Sequence, residues 1–162
     1  MTEKDQLLGT MERELPTTLN VLKAYPAAKG DLRPHERCRT ARDLAWTFVA
    51  EGFLADGALA GNIDLSQQTP PAPASMNEII TTYETRQRSL MEKIRKTPDT
   101  DLNKPIKFPT GPNRVSEMRR MDVLWTTVMD CVHHRGQFSV YLRMAGGKVP
   151  SIYGPTADEP WM

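Results

Sequence analysis

The chain has 162 residues, of which 21 are Lys or Arg and 20 are Asp or Glu, so its formal net charge at pH 7 is +1. This length fits one domain, covering residues 1–162, and leaves little room for a second. Because there is no basic excess, we expect neither nucleic acid nor an anionic membrane as the main partner.

Cysteine usage and hydropathy predict the compartment. Cys38 and Cys131 are too few and too far apart for a secreted disulfide scaffold. The charged N-terminal segment does not resemble a signal peptide, and no run of about 18 apolar residues could cross a membrane. We therefore expect a cytoplasmic protein with no membrane partner.

The first half of the chain has the apolar spacing of helices. The N-terminal segment carries a stripe at spacings of three and four, made of Leu8, Met11, Leu15, Leu19 and Leu22, which predicts one helix kinked near Pro16. A second helix is predicted from Thr40, where Asp43 follows in the first turn, to about Gly61. A third is predicted over 76–96, after the capping pair Ser75 and Glu78.

Residues 97–115 mix proline, glycine and asparagine with two apolar residues, Ile106 and Phe108. This composition predicts an ordered loop, with a short strand as an open alternative. The last helix is predicted to begin near Ser116 and to end at the glycine pair 146–147, before an ordered tail that contains Tyr153 and Trp161. No clear alternation of hairpin strands is seen, so the predicted fold class is all-α.

Two rows of side chains follow the last predicted helix, which turns about 100° per residue. One row is apolar and comprises Leu124, Val128, Cys131, Phe138 and Leu142. The other row is unusually polar and comprises Val123, Thr127, Asp130, His134, Gln137 and Tyr141. Asp130 and His134 lie one turn apart, so both side chains can reach one ion, or one another.

The second predicted helix places a carboxyl group on its apolar face, which comprises Leu44, Phe48, Ala55 and Ala58. Glu51 falls in the middle of that face and Thr47 lies beside it. A carboxylate pointing into a helical bundle is costly unless it is paired, protonated or bound to a cation. If this face meets Asp130 and His134, the three side chains can surround a divalent metal.

Structural explanations for the same residues remain open. Asp130 and His134 can make only a local hydrogen bond, while Glu51 pairs with Arg135 or with an arginine of the third helix. Arg135 falls within the apolar row, which predicts a buried hydrogen-bonding fork or a subunit contact.

Three further side chains are expected to lie outside any site. His133 projects about 100° away from His134 and is expected at the surface or at an interface. His35 is expected to be a solvated loop residue. Cys131 is expected to be a small buried apolar residue rather than a reactive thiol.

The segment VMDCVHHRGQFSVYLRMAGGKVPSIYGPTADEP, residues 128–160, resembles the C-terminal part of the DinB-like four-helix bundle superfamily. The resemblance lies in the HHRGQ run, the YLR, the glycine pair and the VPxxYGPxADE tail. The second helix, RTARDLAWTFVAEGFL, resembles the family more loosely. The resemblance implies an antiparallel four-helix bundle, commonly dimeric, with a divalent metal held by three histidines.

The implied histidine positions fall on different residue types here. The pair on the long helix falls on Asp130 and His134, and the ligand of the second helix falls on Thr47 or nearby. Asp130 is a competent oxygen donor for zinc, nickel or manganese, whereas a neutral Thr47 hydroxyl is a poor ligand. Glu51, one turn further on, could replace it.

Characterised members of the superfamily resemble thiol transferases and isomerases that use low-molecular-weight thiols. One hypothesis is therefore a divalent-metal-dependent hydrolase or thiol-dependent transferase acting on a small molecule. In it Glu51 serves as base or ligand, and Tyr141 or Gln137 orients the substrate.

The alternative is a non-catalytic dimeric bundle that has lost the metal and that binds a small ligand or only packs. Under either hypothesis a homodimer is expected, because Arg135, Phe138 and several methionines exceed what one small core needs.

Overall fold

The computed structural model describes residues 1–64 and 69–161. Within these ranges the chain is mostly helical, and its elements are α1 (Glu3–Lys23), a 3-10 turn (Ala27–Lys29), α2 (Ala41–Ala60), α3 (Met76–Lys96), a short α4 (Asp99–Leu102), β1 (Pro105–Gly111), β2 (Arg114–Arg119) and α5 (Arg120–Met144). Helices α1 and α2 each pack against both α3 and α5. None of the helices in the described ranges combines the length and the apolar character needed to cross a membrane.

The predicted boundaries of α2 and α3 are confirmed by their capping hydrogen bonds. The Thr40 hydroxyl accepts from the Asp43 amide at 3.0 Å, and the Ser75 hydroxyl accepts from the Glu78 amide at 3.3 Å. These bonds satisfy backbone donors that the first helical turn leaves free. Gly61 ends α2 with φ at +80°, a left-handed conformation that favours glycine.

The first helix runs through Pro16, as predicted, and buries the whole predicted apolar stripe. The kink at Pro16 stays a prediction. The apolar rows predicted for α2 and α5 are also buried. These three helices, together with Ile79, Tyr83, Leu90 and Ile94 of α3, form one continuous core.

The predicted start of the last helix near Ser116 is wrong, whereas the prediction of a mostly helical fold is confirmed. Ser116 lies in β2 and pairs with Phe108 of β1 in an antiparallel hairpin, so α5 begins only at Arg120. The Ser116 hydroxyl contacts Thr110 at 2.9 Å instead of capping a helix. The open alternative of a short strand in this region is confirmed, and there are two strands.

The hairpin forms because Ile106 and Phe108, two residues apart on β1, point to the same side. Both are buried against Ala58 of α2 and Val123 of α5. Pro109 lies between the apolar residues and the turn, and a two-stranded sheet tolerates proline because each strand is an edge. Burial against the helices thus outweighs the weak local strand pattern.

The glycine pair after α5 ends the helix where it was predicted to end. Gly146 has φ at +79°, and the Gly147 amide donates to the Leu142 carbonyl at 3.0 Å. The chain then returns towards α5, where Asp158 accepts from the Val149 amide at 2.8 Å.

The two aromatic rings of the tail are mostly exposed, and their polar atoms make the contacts. The Tyr153 hydroxyl donates to Glu14 of α1 at 2.8 Å, and the Trp161 indole donates to the Ser151 hydroxyl at 3.1 Å. Both rings are 65% exposed. The tail therefore contacts the helices through hydrogen bonds such as Tyr153 to Glu14 and through Val149 and Ile152, which pack against the core.

Gly147→Ala should destabilise the fold. A β-carbon there would lie inside the contact distance of Leu142 Cδ1 and 3.1 Å from the Ala24 carbonyl oxygen. We expect the free energy of unfolding to fall by about 1–3 kcal/mol, the usual cost of overpacking. Gly136→Ala is the matched control, because nothing lies within 4 Å of its β-carbon position, and it should raise stability by about 0.5–1 kcal/mol. Equal urea midpoints for the two variants would contradict this account.

Candidate functional site

Three side chains predicted as metal ligands meet between α2 and α5. Glu51 hydrogen-bonds to Asp130, and Asp130 Oδ2 lies 3.0 Å from His134 Nε2. The other ring nitrogen of His134, Nδ1, lies 3.1 Å from the Gln137 side-chain oxygen. We call Glu51, Asp130 and His134 the acid–histidine cluster. Its members form one hydrogen-bonded chain, and Gln137 orients the imidazole.

Burial changes the protonation of Glu51. Burial raises its pKa from 4.5 to about 8, and the negative charge of Asp130 and their hydrogen bond act in the same direction. The Glu51 carboxyl therefore keeps its proton at neutral pH and donates it to Asp130. The two acidic groups can lie next to each other because they share one proton, and the Asp130 side chain stays 39% exposed to water.

Glu51 borders two spaces. One is an interior pocket between the four long helices, lined by Gln87 and Cys131 among others. The other is a cleft of about 620 Å³ between α2 and the segment that follows it, lined by Phe53 and Ile63 among others. A cleft of this volume is in the range that holds a small molecule.

Thr47 is engaged by an arginine that precedes α2. Its hydroxyl accepts from Arg39 Nη1 at 2.7 Å and donates to the Asp43 carbonyl at 3.2 Å. The hydroxyl therefore already has a cationic partner, and the structure does not bring Thr47 into contact with the acid–histidine cluster.

Tyr141 lies away from the cluster. Its hydroxyl donates to the Arg39 carbonyl at 3.0 Å, and it lies eleven positions after Asp130 on the helix, which is about 16 Å along the axis. Burial raises the pKa of Tyr141, and a hydrogen bond with Cys38 adds to the rise. The structure thus places Tyr141 at the far end of the same helix pair, apart from Glu51.

The donor types of the acid–histidine cluster suit a divalent metal, because carboxylate oxygen and imidazole nitrogen are ordinary ligands of zinc, nickel and manganese. Among the residues that the structure describes, however, no group of three or more His, Cys, Asp or Glu side chains is arranged to hold an ion. The cluster is therefore a set of suitable donors that bind one another.

A family model described as the DinB family matches residues 1–161. The chain belongs to the DinB family. The match covers both the acid–histidine cluster and the tail, so the resemblance drawn from residues 128–160 is confirmed and extends over almost the whole chain.

Relatives of this DinB-family chain agree with the assignment. The uncharacterized protein YrdA of Bacillus subtilis (strain 168) is 34% identical over 161 residues, covering 96% of this chain and 90% of YrdA. A crystal structure of a DinB-like protein from Bacillus cereus ATCC 10987 is 23% identical, with a TM-score of 0.78 over 92% of this chain and 97% of that one. The DinB-like protein YjoA of Bacillus subtilis is 16% identical, with a TM-score of 0.73 over 91% of this chain and 97% of that one. These two structures show the shared fold.

The alternative in which Glu51 forms an ion pair with Arg135 or with an arginine of α3 is wrong. Arg135 is buried, with 1% of its surface exposed, and its Nη2 lies 2.6 Å from Glu14 of α1. Arg86 of α3 pairs with Asp56 at 2.6 Å. The expectation of a buried hydrogen-bonding fork at Arg135 is confirmed, and this leaves Glu51 to Asp130.

The remaining expectations for histidine and cysteine are confirmed. His133 and His35 are exposed, and His133 contacts Gln137 at 2.9 Å. Cys131 is buried, and burial raises the pKa of its thiol. A reactive thiolate is therefore not expected at Cys131.

Arg39 is the residue that sequence reasoning missed in this DinB-family site. It lies in an irregular segment eight positions before Thr47, where no helical period relates the two side chains. Only the folding of that segment over α2 brings its guanidinium to Thr47.

The buried acid makes stability depend on pH. Between pH 4.5 and about 8 the unfolded chain loses the proton of Glu51 while the folded chain keeps it, so stability falls as pH rises through this window. Gln cannot ionise, so the free energy of unfolding of Glu51→Gln should not fall in this way. Its difference from that of the unmodified chain should therefore grow in favour of the variant by up to about 1.4 kcal/mol for each pH unit.

Urea denaturation across that window, in buffer with a chelator, measures the difference. Glu36→Gln is the control for the removal of one carboxyl group, because Glu36 is exposed in a loop. A difference for Glu51→Gln that does not change with pH would show that Glu51 ionises in the folded chain.

Proposed function

We propose that this DinB-family protein binds a divalent cation, such as zinc, nickel or manganese, at the acid–histidine cluster. There it would act on a small molecule as a metal-dependent hydrolase or a thiol-dependent transferase. The observation that supports the proposal is the position of Asp130, which contacts both Glu51 and His134. Two carboxyl groups and an imidazole are thereby collected from two helices at one place.

Binding would exchange the contacts within the cluster for contacts to the cation. The carboxyl oxygens of Glu51 and Asp130 and the Nε2 atom of His134 are the proposed ligands, and each is now bonded to another member of the cluster. A divalent charge would replace the shared proton as the partner of the two carboxyl groups, so binding should release protons. Thr47 is the weakest of the predicted ligands because Arg39 occupies its hydroxyl.

The residues around the cluster have separate roles in the proposed reaction. A bound cation would supply a Lewis acid that lowers the pKa of water or of a thiol. Gln137 holds the His134 ring through Nδ1, and Glu51, once the cation has displaced its proton, can accept a proton on the carboxyl oxygen that does not bind the cation. The neighbouring cleft of about 620 Å³ has room for the substrate. Tyr141 is too far from the cluster to take part in these steps.

Metal content tests the proposal. Protein purified without a nickel column and then reconstituted with zinc, nickel or manganese should retain close to one ion per chain by elemental analysis. His134→Ala should weaken binding at least about tenfold, because even residues that only orient a ligand contribute that much.

His133→Ala is the matched control for this test, since His133 is the neighbouring residue and is exposed on another face of α5. It should bind metal like the unmodified chain. Equal losses in the two variants, or no binding of any of the three metals, would refute the metal site.

The second candidate is the non-catalytic bundle. It is favoured by the arrangement of the cluster, whose donors within the described ranges bind one another and form no ligand set. If this candidate is correct, Asp130→Asn and His134→Ala change only the free energy of unfolding and leave the metal content at zero.

We propose with this function the architecture and location predicted from the sequence. The four long helices would form an antiparallel bundle closed by an ordered tail, as supported by the helix contacts and by the Tyr153 bond to Glu14. A cytoplasmic location is supported by the two free cysteines, Cys38 and Cys131.

We also propose a homodimer, on different residues from those first expected. Arg135 and Phe138 are buried within the chain itself and give no reason for a partner. On the outer side of α5, Met129, Val140 and Met144 are each more than half exposed. Apolar side chains in a line along one helix are typical of a helix that packs against a second copy.

Light scattering at micromolar concentration tests the dimer. The unmodified chain should have twice the chain mass, and a Val140→Lys/Met144→Lys double variant should be monomeric, because buried lysines oppose association. Val115→Lys in the hairpin is the control, since Val115 is 57% exposed, and it should stay dimeric. A monomeric mass for the unmodified chain would exclude the proposed dimer.

A further inference from the structure

Two exposed arginines lie at the end of the α2 and α5 pair where Tyr141 is found. The backbone of Arg39 is held by the Tyr141 hydroxyl, and its guanidinium donates to Thr47. Arg33 lies near enough to the Tyr141 hydroxyl that its charge, like that of Arg39, favours a lower pKa for Tyr141. Two positive charges therefore face the same small region.

Neither of these two arginines pairs with an acidic side chain among residues 1–64 and 69–161. Other arginines nearby do so: Arg42, in the same part of the chain, pairs with Asp31 at 2.8 Å, and the buried Arg135 pairs with Glu14. A guanidinium has five N–H donors in a planar fork, and the contact of Arg39 with Thr47 uses one of them. The remaining donors are available to a ligand.

The positions of two contacts relate Arg39 to the acid–histidine cluster. Tyr141 of α5 meets Arg39 just before α2, and Asp130 of α5 meets Glu51 within α2. The two helices therefore run in opposite directions. Thr47, one turn before Glu51, lies level with the part of α5 one turn after Asp130. The Arg39 guanidinium on Thr47 is thus level with His134 and about one helical turn, roughly 5 Å along the axis, from the Glu51 and Asp130 carboxyl groups.

We propose that Arg39, assisted by Arg33, binds a carboxylate or phosphate group of the small molecule that reacts at the acid–histidine cluster, an assignment that rests on the proposed function. The planar fork of arginine matches two oxygens of either group with two parallel hydrogen bonds. The substrate class is a small molecule whose oxyanion binds about one helical turn along α2 from the Glu51 carboxyl group.

Charge supports this orientation of the ligand. At the cluster, the negative charge of Asp130 repels an anionic group, while at the end of the helix pair Arg33 and Arg39 attract it. Because Arg39 is anchored by Thr47 before any ligand binds, little side-chain entropy remains to be lost when the oxyanion arrives. The contact between Arg39 and Thr47 occupies the hydroxyl that could bind a metal. The same contact positions Arg39 to bind the oxyanion of the ligand.

Anion titrations of the metal-free protein test the assignment. Inorganic phosphate and succinate are added separately at constant ionic strength, in the presence of a chelator, and the backbone amide signals of Thr47 and Tyr141 are followed by NMR. We expect saturable shifts for the unmodified chain with at least one of the two anions. Arg39→Gln should weaken that binding at least about tenfold, because it removes the charged hydrogen-bond donor to the anion.

Arg37→Gln is the matched control. Arg37 is exposed in the same loop and its loss changes the net charge equally, so it should alter affinity by no more than about twofold through screened long-range attraction. The anion that binds more tightly identifies the group as carboxylate or phosphate. Equal losses in the two variants, or shifts that never saturate with either anion, would overturn the assignment.

Zinc titration of Arg39→Gln separates this proposal from the metal proposal. We expect metal affinity within about twofold of the unmodified chain, since Arg39 contacts Thr47 and not the cluster. Saturable anion binding that depends on Arg39 in a chain that binds no metal would refute the metal site and leave the anion site standing. A normal metal site without anion binding would refute only the role of Arg39.

Discussion

Two acidic side chains face each other across α2 and α5, and the burial of Glu51 makes the pair stable only when one of them keeps its proton. Glu51 keeps it and donates it to Asp130, which also contacts His134. This constraint sets the chemistry of the whole site: a removable positive charge, whether proton or metal ion, must accompany the two carboxyl groups. Glu51 lines both the interior pocket and the cleft, so a molecule bound in either space lies next to this carboxyl group.

A second buried charge, that of Arg135, is compensated by a fixed partner instead of by a proton. Arg135 is enclosed by the fold, and it is paired with Glu14 and hydrogen-bonded to Thr18, with Tyr153 of the tail contacting the same arginine. Here the compensating charge is a permanent part of the protein, so no exchangeable cation is needed. A buried pair of this kind is costly to break because either partner alone is an unpaired charge. Arg135 has a permanent partner, whereas the proton that accompanies Asp130 can be exchanged. Asp130 and His134 are therefore the part of α5 that can bind a cation.

Arg39 contacts the residue of α2 at which this chain differs from the DinB-family pattern. The position at which the resemblance implies a histidine is Thr47, and Thr47 contacts a guanidinium instead. A fixed cation thus lies about one helical turn from the carboxyl pair. The α2 and α5 pair is positively charged at the end that carries Arg33 and Arg39 and negatively charged at Asp130 in its middle, which suits a ligand that carries an anionic group at one end.

The sequence by itself determined the helices and their buried faces, because helical period and capping residues such as Thr40 and Ser75 are local properties that neighbours three or four positions away establish. It also indicated Glu51, Asp130 and His134 as candidate metal ligands, since a polar group on or beside an apolar helix face can be recognised from the spacing. Only the tertiary structure decided that Ser116 belongs to a hairpin, because that strand is stabilised by burial against α2 and α5. It likewise decided the partners of each charge: Arg135 bonds to α1 and Arg39 to Thr47. Contacts between distant segments depend on how the helices are arranged, which no local spacing encodes.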